Sequence, residues 1–205
     1  MQHFREIMFT DTVAEKQAER GSRETCARMT DRPAPEGLGP GENLFIQSRD
    51  SFYLGFVSET GWPSFQHRGG PRGFMKVLDP KTIGFADYRV NRQYVLLGNT
   101  SAEDRVSLFL MDYPRKARLK LLGHARFAEA ADNPDLAAQL TVDGQGWVER
   151  LVTIRIAAFD WTCPQFITPR LDTDQIAATA GPEMDRLQAR IDALAAENAA
   201  LKAGT

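Results

Sequence analysis

The chain has 205 residues, 42% of them hydrophobic and 25% charged, with a net charge of -2. That is enough apolar material for one core of ordinary size and too much for a disordered chain. The near-balanced charge supplies no global basic field for nucleic acid or an anionic membrane. The N-terminus scatters charges through any apolar stretch, unlike a secretory signal, and no run approaches the roughly 18 to 20 apolar residues that cross a bilayer. Cys26 and Cys163 lie far apart without CxxC spacing, so a reducing cytoplasm is the expected compartment.

In chain order, residues 1–30 read as two short helices broken at Gly21-Ser22. Residues 31–43, rich in proline and glycine, read as a linker or lid without a helix. Phe52 to Val57 is apolar on both faces and predicts a buried strand. Pro63 to Arg68 returns from the turn at Gly61, and Thr82 to Ala86 forms another short strand. Asp87 is placed to cap a helix carrying Val90, Tyr94 and Leu97, which Gly98 closes. Arg105–Tyr113 and Ala117–Ala128 predict a hairpin, followed by a short helix near Pro134–Leu140 and a long strand from Trp147 to Trp161. Short strands with brief helices between them favour an antiparallel barrel over a doubly wound sheet.

The tail has the cleanest periodicity. Met184, Leu187, Ile191, Leu194, Asn198 and Leu201 alternate spacings of three and four, a heptad seam with leucine at d and one asparagine at a. Such a seam favours a parallel two-stranded pairing, and the alternative is a helix packed on its own barrel.

No GxSxG elbow, phosphate-binding GxxxxGK[ST] loop, HExxH or strand–GxGxxG–helix unit occurs, and His3, His67 and His124 lack metal-ligand spacing. No catalytic residue and no metal ligand is therefore nominated. Three polar clusters remain. Gln66-His67-Arg68-Gly69-Gly70 ends a strand, where glycines admit a ligand to the backbone and Arg68 offers a cationic fork. Asp87 to Arg92 holds Arg89 and Arg92 at an expected helix start, a place that favours an anion. Arg118 and Lys120 share one side of the hairpin's second strand. Each alone also has the ordinary look of a solvated surface. Together they suit one phosphomonoester and a planar ring.

The strings GWPSFQHRGGPRGF, TIGFADYRVNRQY, VSLFLMDYPRKARLKLLGHA and WTCPQFITPR resemble, in order from about Phe45 to Arg170, the pyridoxamine 5'-phosphate oxidase-like flavoproteins. They look closest to the branch of oxidase-related FMN-binding proteins. The resemblance implies a mainly β (α+β) fold, a six-stranded antiparallel FMN-binding split barrel over 44–170. The helical arm and linker over 1–43 and the linker and coiled-coil helix over 171–205 are read from the residue pattern, and the tail lies outside the shared barrel. It implies a homodimer with FMN in clefts between subunits. The matched positions for FMN contacts are Gln66, His67, Arg68 and Gly69 on the second strand. Phe85, Ala86, Asp87, Asn91 and Arg92 follow on the next strand and helix start. Arg118 would reach in from the other subunit, and Trp161 would border the flavin.

Two departures limit what carries over. The Arg–Lys pair of the authentic oxidase's second strand is unmatched, with Gln66 and Pro71 in its place. The arginine–leucine–histidine motif that holds the vitamin phosphate has no counterpart in WTCPQFITPR. The expected activity is thus an FMN-dependent oxidoreduction of a small molecule other than the vitamin phosphate. A carrier, sensor or regulatory flavoprotein, or a split barrel using heme or a deazaflavin, stays open beside it.

Overall fold

The computed structural model describes residues 1–29, 33–89 and 92–203. Contacts divide the chain into two units, Met1–Asp112 with Ala117–Pro164, and Tyr113–Lys116 with Gln165–Thr205.

The first unit is built on one antiparallel sheet. Its strands are β1 (Ser51–Val57), β2 (Pro63–Gly69), β3 (Lys76–Asp79), β4 (Thr82–Tyr88), β5 (Arg105–Asp112), β6 (Ala117–Glu129) and β7 (Val148–Trp161). Their order across the sheet is β2-β1-β5-β6-β7-β4-β3. The sheet thus has seven strands, not the six expected. The additional strand is β3, four residues long and paired only with β4 at the sheet's edge, too short to show a period of two in the sequence.

The sheet curls. Arg68 on β2 and Asp87 on β4 are five strand spacings apart in the sheet order, about 24 Å if the sheet were flat. Their side chains nevertheless meet at 2.7 Å. Phe52 of β1 likewise packs edge-on to Phe85 of β4 with ring centroids 5.4 Å apart. Side chains, with no backbone ladder in the sheet order, therefore join β2 to β4. Inside lie Phe52, Leu54 and Phe56 of β1, Val106, Leu108 and Leu110 of β5, Leu119 and Leu121 of β6, and Val152, Ile154 and Ile156 of β7. Each set is the alternate-residue face that burial of one side of a strand requires. Curling is helped by a bulge where β6 and β7 shift register at Leu122/Gly123. A Cβ on Gly123 would sit 2.7 Å from the Arg155 carbonyl oxygen, so only glycine lets the two strands approach there.

Helices border the sheet. The N-terminal segment forms three short helices, α1 (Phe4–Met8), α2 (Asp11–Glu19) and α3 (Arg23–Arg28), instead of two. Thr10 caps α2 by accepting from the Val13 amide at 3.4 Å, an added boundary besides Gly21. The stretch expected to be a linker ends in a helix, α4 (Pro40–Gln47): Pro40 occupies its first turn, and Glu42 accepts from the Gly39 amide at 2.9 Å. The expected helix after Asp87 starts later. Asp87 and Tyr88 complete β4, and α5 runs from Val95 to Ala102 with Gly98 inside it. Pairing with β7 extends the strand past the point where capping chemistry predicted a helix. α6 (Pro134–Leu140) lies where expected and brings Leu140 against Ala86 and Leu151 on the outer side of β4.

In the second unit, α7 runs from Thr173 to Ala203 through Pro182, longer than the expected tail helix. Asp172 opens it by accepting from the Gln175 amide at 2.8 Å, while Gln175 accepts from the Asp172 amide at 3.0 Å. Its heptad residues Met184, Leu187, Ile191, Leu194 and Leu201 are between 40% and 67% exposed, so in one chain the seam is uncovered. No helix among the described residues is long and apolar enough to cross a membrane.

Candidate functional site

The inward faces of β1 and β5–β7 are mostly apolar, but that of β2 is polar. Pairing aligns Phe52 with Arg68, Leu54 with Gln66 and Phe56 with Ser64, so Ser64, Gln66 and Arg68 share the inner side. They line the seam where the sheet's two ends meet. A charge at such a seam needs a counter-charge or water.

Arg68 finds a counter-charge and a neutral acceptor. Its Nη1 donates to Asp87 Oδ1 at 2.7 Å and its Nη2 to Gln66 Oε1 at 3.0 Å. Asp87 also accepts at Oδ2 from Arg150 Nη2, at 3.1 Å. Arg150, on β7 and only 8% exposed, pairs with Glu149 at 3.1 Å and lies over the Tyr94 ring, 4.6 Å from its centroid. Burial alone would lower the Arg150 pKa, but its interactions with Asp87, Tyr94 and Glu149 outweigh burial and raise it. Tyr94 donates its hydroxyl to Glu149 at 3.1 Å and accepts from Arg92 Nε at 3.1 Å. That hydrogen bond is the main reason the Arg92 pKa is raised. Arg92 and Tyr94 both adopt left-handed backbone, with φ of 54° and 51°, a conformation found where surroundings override local preference.

These side chains wall a cavity of about 430 Å³ lined by Gln66, His67, Arg68, Asp87, Arg92, Tyr94, Phe127, Glu149 and Arg150 among others, within the size range of small-molecule sites. A second hollow of about 200 Å³ shares His67, Arg68, Asp87 and Tyr88 and adds Gly69, Gly70, Phe74, Phe85 and Ala86. The Arg68–Asp87 pair is thus common to both. The Nε atoms of Arg68 and Arg150 are buried without a hydrogen-bond partner.

Of the residues expected to hold a ligand, Gln66, His67, Arg68, Gly69, Phe85, Ala86, Asp87 and Arg92 gather on these two hollows. Asn91 lies outside the described residues. Arg92 stands on a loop rather than a helix face, so the expected helix-start anion site for it and Arg89 does not form. Gly70 serves packing: a Cβ there would lie 2.8 Å from the Phe74 ring.

Arg118 and Trp161 are elsewhere. Arg118 Nη2 donates to the Cys163 carbonyl at 2.7 Å. Trp161 packs edge-on to Phe45 at 4.7 Å and donates from Nε1 to Glu42 at 2.7 Å. From Arg150 to Trp161 along β7 is about 36 Å at strand spacing. Arg150, Glu149 and Tyr94 escaped the sequence reading. Arg150 does carry a signal: it shares the alternate phase of Val152, Ile154 and Ile156, an arginine at a core position of its strand.

No group of His, Cys, Asp and Glu that could hold a metal ion occurs among the described residues. Compared with known proteins, the chain matches no family model and no curated protein. Its structural neighbours are pyridoxamine 5'-phosphate oxidase-family and FMN-binding proteins. A putative pyridoxamine 5'-phosphate oxidase from Lactobacillus delbrueckii is 19% identical, with 62% of this chain and 95% of that chain covered and a TM-score of 0.47. HupZ from Group A Streptococcus is 14% identical, with 65% and 99% covered and a TM-score of 0.47. An FMN-binding protein from Syntrophomonas wolfei is 9% identical, with 71% and 97% covered and a TM-score of 0.40.

Proposed function

We propose that this chain is an FMN-binding split-barrel flavoprotein, working as a homodimer, that carries out FMN-dependent oxidoreduction of a small substrate. One observation carries the reading. The only polar inner strand face of the curled sheet, among the described residues, opens on a cavity walled by three guanidinium groups. Arginine forks suit a phosphomonoester, and FMN ends in one. Arg68 and Arg92 would hold that phosphate, while Gln66 and His67 would offer hydrogen bonds to the rest of the molecule. Bound FMN would supply the hydride and electron chemistry. The protein's part is to hold it and to limit water along the seam between β2 and β4.

The dimer has separate support. Arg118 and Trp161 lie far along the β6–β7 pair from the cavity, so they border FMN only if a second copy supplies them. Tyr53, Val57, Trp62 and Phe65 are exposed on and beside the outer face of β1 and β2, and the α7 seam is uncovered. Binding without turnover is the second reading, favoured by the state of the cavity's carboxylates. Asp87 is tied to two arginines, and Glu149 to Arg150 and Tyr94, so neither is a free base.

The full chain should take up FMN and quench its fluorescence, its denatured extract should release FMN, and light scattering should give twice the chain mass. No FMN uptake would overturn the reading, and a heme or deazaflavin spectrum would replace it. Anaerobic reduction by NADH or NADPH followed by reoxidation in air separates an enzyme from a carrier. Truncation after Gly181 should weaken self-association without abolishing it.

A further inference from the structure

Two arginines share one aspartate, and each keeps a buried Nε–H with no acceptor. Buried donors without partners are rare because they forfeit their hydration. Arg118 Nε is a third such donor among the described residues, but only Arg68 and Arg150 form one pair of cations on one cavity wall. The Arg150 side chain is only 9% exposed and the Asp87 side chain 11%, so bulk water does not offer an easy substitute. The present pose is therefore one in which Asp87 neutralises the arginines but leaves their donor sets incomplete. A carboxylate has two oxygens, and each is already used by one arginine. A tetrahedral oxyanion has more acceptors, spread in three dimensions, and a larger charge.

We propose that Asp87 is a resident counter-ion, and that a phosphate monoester displaces it from Arg68 and Arg150. The ligand's anion competes with Asp87 for the same guanidinium groups. Arg150 is thereby a specificity-determining residue: it favours a phosphate-bearing ligand over the same ligand without phosphate. Arg92, on the same cavity, adds a further positive charge at the open side. Naming FMN as that monoester rests on the flavin reading. The exchange itself rests on the clamp alone.

The two can be tested apart on the full chain. Inorganic phosphate is the probe for the clamp, read as a rise in thermal midpoint against equal ionic strength of chloride. Wild type should respond. Asp87→Asn should start lower and respond more, because its arginines have lost their competitor. Arg150→Gln keeps the Arg68–Asp87 pair and should lose most of the response. Equal responses in wild type and Arg150→Gln would overturn the proposal, as would no response in wild type. If Asp87→Asn does not fold, the Arg150→Gln comparison still decides. For the flavin, wild type should bind FMN at least about tenfold more tightly than riboflavin, the factor one charge-assisted hydrogen bond supplies. Arg150→Gln should shrink that ratio. A phosphate response without FMN binding would sink the flavin reading and leave the clamp. FMN binding with a ratio unchanged in Arg150→Gln would do the reverse.

Discussion

Two buried arginine–aspartate arrangements lie in the same sheet unit and differ in one respect. Arg49, just after α4, donates from Nε to the Phe45 carbonyl at 3.2 Å and from Nη1 to the Met111 carbonyl at 2.9 Å. Its Nη2 reaches Ser48 at 3.0 Å and Asp112 at 2.6 Å. Every nitrogen has an acceptor, and the guanidinium lies 4.6 Å from the Phe45 ring centroid. It staples α4 to the end of β5. Arg68 and Arg150 share Asp87 but leave Nε donors unmet and face a cavity. Burial of a charge thus does not by itself mark a site. Incomplete satisfaction beside open space does.

The largest expected effect lies at the staple. Asp112→Ala leaves Arg49 buried without its counter-charge and should lower stability by about 3 to 5 kcal/mol, the usual cost of breaking a buried pair. Urea unfolding would register it, while FMN affinity of the folded protein should not move. Arg68→Ala should do the opposite. Asp87 keeps Arg150, so the midpoint should shift less than in Asp112→Ala, but FMN binding should weaken by about 1.5 to 3 kcal/mol in a fluorescence titration. Arg92→Ala removes an exposed charge and should weaken FMN binding less than Arg68→Ala does, by an amount that shrinks as salt is added.

The smallest expected effect lies away from both clusters. Hydrogen bonds from the Arg105 side chain and backbone hold the Glu103 carboxyl down at about 2. A depressed carboxyl stabilises the fold above its unfolded value of 4.5 and loses that contribution as pH falls through about 2. Because the pair is exposed, Glu103→Gln should leave the thermal midpoint at neutral pH nearly unchanged. An NMR titration of Glu103 with a midpoint near 4.5 would show that the Arg105 contact does not persist.

Much of the sheet could be read from the chain because strand signals are local. A continuous apolar run marked β1, although its outer face leaves Tyr53 and Val57 exposed instead of buried. Runs of strand-forming residues marked β5, β6 and β7, and Pro134 marked α6. The errors occurred where local and distant preferences conflict. Asp87 has the chemistry of a helix cap, yet β7 captures it into β4 through seven paired positions. β3 is too short to reveal a period and exists only because β4 offers an edge.

The same division holds for the arginines. The sequence alone determined that Gln66, Arg68 and Asp87 belong to polar strings embedded in apolar strands, and that the tail repeats every seven residues. Only the tertiary structure decided which charges meet. Arg68, Asp87 and Arg150 come from three strands, and the curl of the sheet joins them at a seam that no local pattern encodes. Whether a buried cation is a staple or an unsatisfied donor depends on where every acceptor around it ends up. That is a property of the closed sheet, because burial makes each missing partner costly only after water has been excluded.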